Sequence, residues 1–382
     1  MTEKLYDKDS FLKEFTATVL ESCKKADGYF TVLDKTAFFP EGGGQPSDIG
    51  HLDDAKVYDV QIDGGVIYHY TTKPFFKGQT VRGRVDFERR FDFMQQHSAE
   101  HIVSGIAHSL YGCENVGFHL SEATVTLDFD KYLTEDKLLQ IEAEANRRVY
   151  ENAVFNCYYP SGEALKALDY RSKKELEGAV RIVEIENTDV CACCAPHVKN
   201  AGQIGIIKLL DCEKLRGGIR IKLKAGSRAL ADYNEKYGNV QKISSALAVM
   251  QNEAAVGVER LSDENRELKF EISSLKKRLI AEKTKSFVPD SEKTAVFEEG
   301  LDIKELQLFA DALYKKSGGI RGVFSGEEGN YSFAICGEEA VLDLFFKEFK
   351  EKLNVRGGGR NGMVQGTVAA VKDAIEGLFD KL

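Results

Sequence analysis

No apolar stretch in the 382 residues approaches the roughly 20 needed to cross a bilayer, which excludes a membrane-spanning chain. The opening, Met1-Thr-Glu-Lys-Leu-Tyr-Asp7, lacks the basic-then-apolar order of a secretory signal, so a cytoplasmic location is expected. An excess of positive charge is missing too. A net charge of −9 argues against a protein that coats nucleic acid non-specifically, because such proteins gain affinity by neutralising phosphates with Lys and Arg. One local basic stretch stands out: Lys208, Lys214, Arg216, Arg220, Lys222, Lys224 and Arg228. Arg356 and Arg360 flank a glycine run elsewhere. A solvated face accounts for these charges as well as a nucleic-acid contact does.

What is present is an ordinary soluble composition, 43% hydrophobic and 30% charged, in a chain long enough for two to four units. Without a secretory signal, the eight cysteines are expected to be reduced, metal-bound or buried rather than paired. Cys23, Cys113, Cys157, Cys212 and Cys336 are scattered singly, as packing residues are. Cys191, Cys193 and Cys194 crowd four positions and call for chemistry.

The expected fold class is α+β. Over residues 1–88, short alternating runs such as YFTVLD, KVYDVQI, GVIYHYT and TVRGRVD, broken by Gly and Asp, predict a small N-terminal β-barrel domain with a glycine-rich loop. Residues 89–228 read as an α+β domain: a helix carrying MQQHSAEHIVSGIAHSLY, a second helix near Glu135 to Glu151, and strands such as ATVTLDFD and RIVEIE. Residues 229–287 lose their turn signals and place Val258, Leu261, Asn265, Leu268, Ile272, Leu275 and Leu279 in a and d positions of a helical or coiled-coil linker. Gly257 would interrupt that run and allow a hairpin, so a homodimer and an intrachain hairpin both remain open. Residues 288–382 predict a C-terminal α/β domain with strands GIRGVFSG and YSFAICG and a loop Arg356-Gly-Gly-Gly-Arg360.

The chemistry gathers at two pairs. His97 and His101, four apart on a helix, project from one face and could share a metal ion; Ser98 after His97 rules out the metalloprotease pattern. Cys193-Cys194-Ala195-Pro196-His197 adds a thiolate and an imidazole on a turn that Pro196 keeps from being helical. Together they make a tetrahedral N/S set suited to zinc, although 96 positions separate His97 from Cys193 and only the fold can join them.

The order H-x-x-x-H then C-x-x-x-H, led by Arg90-Phe-Asp-Phe-Met-Gln-Gln-His97, resembles the editing domain shared by alanyl-tRNA synthetase and the stand-alone AlaX proteins. Thr36-Ala-Phe-Phe-Pro-Glu-Gly-Gly-Gly-Gln45-Pro-Ser-Asp48 resembles that family's glycine loop. His197-Val-Lys-Asn-Ala-Gly-Gln-Ile-Gly205 and Arg216-Gly-Gly-Ile-Arg220-Ile-Lys-Leu223 resemble its continuation and closing strand. Gly357-Gly-Gly-Arg-Asn-Gly-Met-Val-Gln-Gly366 is similar to the synthetase's C-terminal domain, so the likeness covers almost the whole chain, as in the long AlaX form. Cys194, Ala195 and Pro196 depart from the small residues usual there, and Cys191 or Cys194 stays open as the thiolate; only Cys193 lies four before His197.

The resemblance implies a zinc-dependent trans-editing deacylase that removes serine or glycine from mischarged tRNA(Ala). It implies Zn2+ on His97, His101, Cys193 and His197, and Thr36 as the reader of the serine hydroxyl, with Gln45, Gly43 and Gly44 beside it. Arg216, Arg220, Arg356, Gly358 and Arg360 are the implied tRNA contacts. With 96 residues before His97 reading as the barrel, aminoacylation is not expected. The rival expectations are a tRNA-holding protein with a structural zinc and a deacylase of the threonyl-tRNA editing type. Glu100, His108 and His119 receive no role.

Overall fold

The computed structural model describes residues 2–25, 28–172 and 179–381. They form two units, Met1–Gln241 and Lys242–Leu382. No helix among the described residues is long and apolar enough to cross a membrane.

In the first unit, strands Glu14–Lys25, Gly28–Leu33, Val66–Thr71, Ala55–Asp63, Gly50–Leu52 and Thr80–Val85 pair in that order, and the last closes on the first. Period-two alternation does this: Val81, Gly83 and Val85 face inward while Thr80, Arg82 and Arg84 face water. Gly83 is required because the Phe15 ring occupies the place its Cβ would take. The glycine loop runs between Lys35–Thr36 and Gly50–Leu52.

The helix Phe87–Tyr111 follows at once. Asp86 caps it by accepting from the Arg89 N–H, and Gly112 ends it in the left-handed region at φ 60°. Every residue from Phe93 to Ala107 is buried, so its polar side chains must find partners inside the protein. The four-stranded antiparallel sheet Ile207–Leu215, Gly218–Ala225, Val125–Phe129, Asn115–Leu120 covers it, with the three-stranded sheet Phe155–Tyr158, Ile182–Ile185, Asp189–Ala192 and the helix Glu135–Tyr150. That second helix turns Leu138, Ile141, Ala145 and Val149 inward at the spacing of one helical face.

Arg90, fully buried near the start of the Phe87–Tyr111 helix, ties barrel to helix. Its Nε donates to both carboxylate oxygens of Asp48 at 2.8 and 2.9 Å, and its Nη atoms donate to Asp48, to Ala37 O at 2.6 Å and to Ser10 O at 3.2 Å. Asp48 in turn accepts from the Phe39 N–H at 2.6 Å. The glycine loop is thereby fastened to the helix that carries His97 and His101.

In the second unit the sheet order is Lys293–Phe297, Ile320–Glu327, Asn330–Cys336, Met363–Ala369, Asn354–Arg360, with only the first pair parallel. Phe324, Phe333, Phe345, Phe349 and Phe379 fill its core. The run Arg356 to Arg360, expected as a loop, is instead the edge strand. A Cβ at Gly357 or Gly359 would meet the carbonyls of Gln365 or Met363 at about 2 Å, so the glycines permit this close pairing. Gly257, expected to break the linker, lies inside the helix Ala254–Ser286. The break comes earlier, after the helix Gly226–Leu247, where Ala248 takes a positive φ of 53°.

Arg90→Ala leaves Asp48 charged, buried and without its cation, and is expected to cost roughly 3–5 kcal/mol of unfolding free energy. Urea unfolding measures it. A loss below about 1 kcal/mol, the range of an exposed pair, would contradict this reading of the contact.

Candidate metal centre

His97 and His101 stand one turn apart on the buried helix, with ring centroids 5.3 Å apart and planes inclined by 22°. Cys193 and His197 arrive on the turn that leaves the strand Asp189–Ala192. Cys193 Sγ lies 3.6 Å from His97 Nε2 and 3.4 Å from His197 Nε2, and the four donor atoms all lie within 4.8 Å of one another. Zinc–nitrogen and zinc–sulfur bonds of about 2.0–2.3 Å in a tetrahedron place donors about 3.3–3.8 Å apart, so this set fits such an ion with small adjustment.

The second ring nitrogen of each histidine faces a protein group. His97 Nδ1 lies 3.0 Å from Gln45 Oε1, His197 Nδ1 3.2 Å from Ser98 Oγ, and His101 Nδ1 3.4 Å from Asp189 Oδ2. His97 Nε2 and His197 Nε2 thus face Cys193, and His101 Nε2, which also has Glu100 Oε2 at 3.9 Å, completes the inward-facing set, the arrangement metal-binding imidazoles require. Arg181, buried, donates to the carbonyls of Cys193 and Ala195 at 3.0 and 2.9 Å and so shapes the ligand turn.

Burial opposes the Cys193 thiolate, but the imidazoles of His97 and His197 face it and hydrogen bonds from His101 and His197 reinforce them. Its pKa is held well below the ordinary thiol range. Burial also drives His197 down to about 3, despite the neighbouring thiolate. His101 moves the other way: against burial, Glu100, Cys191 and Asp189 raise it well above the ordinary imidazole range, so a metal there must displace a proton. Cys191 belongs to a different trio, within 4.8 Å of His101 and Asp189 but outside the four-donor set.

A cavity of about 600 Å³ opens against this centre, its wall including Gly43, Gly44, His97, Glu100, Phe118 and Cys193. Gln45 is buried behind it and reaches the site through His97. Thr36, on the strand Lys35–Thr36 that pairs with Glu3–Lys4, is fully buried and is not among the residues of the cavity wall. Its Oγ1 accepts from the Phe38 N–H at 3.1 Å and lies 2.8 Å from His69 Nε2. Because His69 Nδ1 faces the Thr31 carbonyl at 3.0 Å and must donate to it, Nε2 is the acceptor and the Thr36 hydroxyl the donor.

The basic stretch is largely neutralised in the fold. Arg220 is held by Asp128 through two bonds of 2.7 Å, Lys208 by Glu142, Lys224 by Asp232, and Arg228 by Asp92. Arg216 sits exposed at the hairpin turn, and Arg356, Gly358 and Arg360 are exposed on the edge strand of the second unit. His69, Ser98, Arg171, Arg181 and Asp189 escaped the sequence reading. Each acts through a partner distant in sequence or through its place beside a ligand, and no local motif announces that.

Comparison with known family models covers the glycine loop and the Cys193–His197 turn but reaches neither His97 nor His101. The family described as "Threonyl and Alanyl tRNA synthetase second additional domain" matches residues 180–222, and "tRNA synthetases class II (A)" matches residues 7–89. The chain is 32% identical to the alanine–tRNA ligase of Pyrococcus abyssi, over 100% of this chain and 44% of the ligase. It is 34% identical to that of Thermococcus kodakarensis, over 96% of this chain and 42% of the ligase. It is 27% identical to "Alanyl-tRNA editing protein Aarsd1" of Mus musculus, over 95% of this chain and 93% of that protein. The chain therefore spans less than half the length of the ligases and nearly all of the editing protein.

Metal analysis of purified variants separates the thiolates. Cys193→Ala is expected to lose the ion and Cys191→Ala to keep it, because among the described residues only Cys193 Sγ joins the three-histidine set. The opposite pattern would move the site to Cys191.

Proposed function

From a chain that resembles the long form of AlaX, the stand-alone alanyl-tRNA editing protein, we propose a zinc-dependent deacylase that hydrolyses serine or glycine from mischarged alanine tRNA. The observation that carries the reading is the four-donor centre at the wall of a cavity shared with the glycine loop. The substrate is an ester between an amino acid and the terminal ribose. Zinc on these donors would supply a Lewis acid that polarises the ester carbonyl.

The chain's own groups do the rest. Gly43 and Gly44, both at positive φ, let backbone approach the ribose end closely. The Phe118 ring, 4.7 Å from that of His97, keeps one side of the centre apolar. Gln45 holds His97 in place. Serine differs from alanine by one hydroxyl, which an apolar synthetic pocket rejects poorly, so a second site must hydrogen-bond it. Thr36 stays the proposed reader on the resemblance: it is fully buried, with its hydroxyl on His69 and the Phe38 N–H, and it pairs in register with Lys4 of the cavity wall, so it would act from behind that wall. Arg216, Arg356, Gly358 and Arg360 are the proposed tRNA contacts, while Arg220 is committed to Asp128.

A second reading draws on the same centre, since four protein donors are typical of a closed structural zinc. It makes the chain a tRNA-holding protein without turnover. Deacylation assays on Ser-, Gly- and Ala-charged alanine tRNA separate the two. Serine and glycine are expected to be released far faster than alanine, and no release by zinc-loaded protein would favour the structural reading. Thr36→Val is expected to slow serine release about ten- to hundredfold, from a lost hydrogen bond of roughly 1–3 kcal/mol, and glycine release much less. Because the same change strips His69 of its partner, melting is followed in parallel. Equal loss on both substrates removes Thr36 from recognition.

The proposed assembly is a homodimer through the helix Ala254–Ser286. Val258, Leu261, Leu268, Ile272, Leu275 and Leu279 are 49–57% exposed along one stripe, with Asn265 among them, the pattern of a two-stranded coiled coil with a register-setting polar residue. Light scattering at micromolar concentration is expected to give twice the chain mass; a monomer would contradict it.

A further inference from the structure

We propose that Asp189, held by Arg171, is a positioning residue that fixes the ring of His101 for the metal; the inference rests on reading the four donors as a metal site. Among the described residues, His97 and His197 are backed by an amide and a hydroxyl, whereas His101 is backed by a carboxylate. Asp189 opens the strand Asp189–Ala192 and is buried. Gly105, one turn beyond His101, makes the approach feasible: a Cβ there would lie 2.6 Å from the Thr188 carbonyl and 2.7 Å from Asp189 Cβ. Any side chain at that position would push the carboxylate away from the ring.

Arg171 decides what the carboxylate does. Its Nε donates to Asp189 Oδ1 at 2.8 Å and its Nη2 to Oδ2 at 2.7 Å, so both oxygens carry a charge-assisted bond. Oδ2 also lies 3.4 Å from His101 Nδ1. Asp189, Cys191 and His101 are close enough to form a rival three-donor group. With its charge committed to Arg171, Asp189 serves as acceptor for the Nδ1–H of His101 and leaves Nε2 to the set with His97, Cys193 and His197. A carboxylate behind a ligating imidazole fixes its tautomer and raises its basicity, and its loss weakens metal binding by about ten- to a hundredfold.

The test is cobalt(II) titration of the full chain, with the visible absorption of the thiolate-bound ion as the spectroscopic signature and competition by a chromophoric chelator as the affinity. Asp189→Ala is expected to bind cobalt about ten- to a hundredfold more weakly and with altered bands as the His101 ring loses its anchor. Asp189→Asn keeps one acceptor oxygen for the His101 Nδ1–H but loses the carboxylate charge and turns an amide NH2 toward Arg171, so it is expected to keep the wild-type bands and recover only part of the affinity. Wild-type affinity and bands in Asp189→Ala overturn the proposal. So does equal weakening in both variants with unchanged bands, which marks damage to the scaffold instead. A wild-type chain that takes up no cobalt overturns the metal reading itself, and this proposal with it.

Discussion

The buried ion pair between Arg90 and Asp48 is the constraint on which the candidate site depends. Each partner alone would be a severe liability inside the protein, since an uncompensated buried charge destabilises far more than a matched pair stabilises. Here the guanidinium also satisfies the carbonyls of Ala37 and Ser10, and the carboxylate also accepts from Phe39. Loop and helix therefore have one low-energy registry. Asp48 lies three residues past Gln45, and Arg90 two helical turns before His97. Closing the ion pair brings the Gln45 side-chain amide oxygen onto the His97 ring.

The same logic repeats around the four donors. The groups behind the three histidines come from three places: the barrel's glycine loop, the ligand helix itself, and the strand that leads to Cys193. Arg181 then ties the ligand turn to the segment before the strand Ile182–Ile185. A centre built this way is largely preorganised before any ion arrives, because its rings are oriented by hydrogen bonds rather than by the metal alone. Its neighbours carry the cavity, so the side chains that orient the donors also shape the space beside them.

Much of this was legible in the residues. His97 and His101 announced themselves because helical period puts positions four apart on one face, and the barrel strands did so because alternation is visible within six residues. Joining Cys193 and His197 to that pair needed resemblance, since no local rule spans 96 positions. The basic stretch stayed open between a solvated face and a nucleic-acid contact for the same reason: the carboxylates that pair with it, Glu142, Asp128, Asp232 and Asp92, come from other elements. Glycine signals were ambiguous in both directions. Gly357 to Gly359 form an edge strand where a loop was expected, and Gly257 sits within a helix whose neighbour ends instead at Ala248, a residue without a left-handed signature. Thr36 shows the limit most plainly, because its partner His69 is 33 positions away and invisible to any motif.

The central claim is that the two pairs form one zinc centre that acts on the ester of mischarged alanine tRNA. Stripping the chain with a chelator and titrating zinc back, while following single-turnover hydrolysis of Ser-charged alanine tRNA, tests it most directly. The account predicts that activity vanishes with the metal and returns in step with zinc, saturating at one ion per chain. Full hydrolysis by the metal-free chain, or none by a chain fully reloaded and folded, would contradict it.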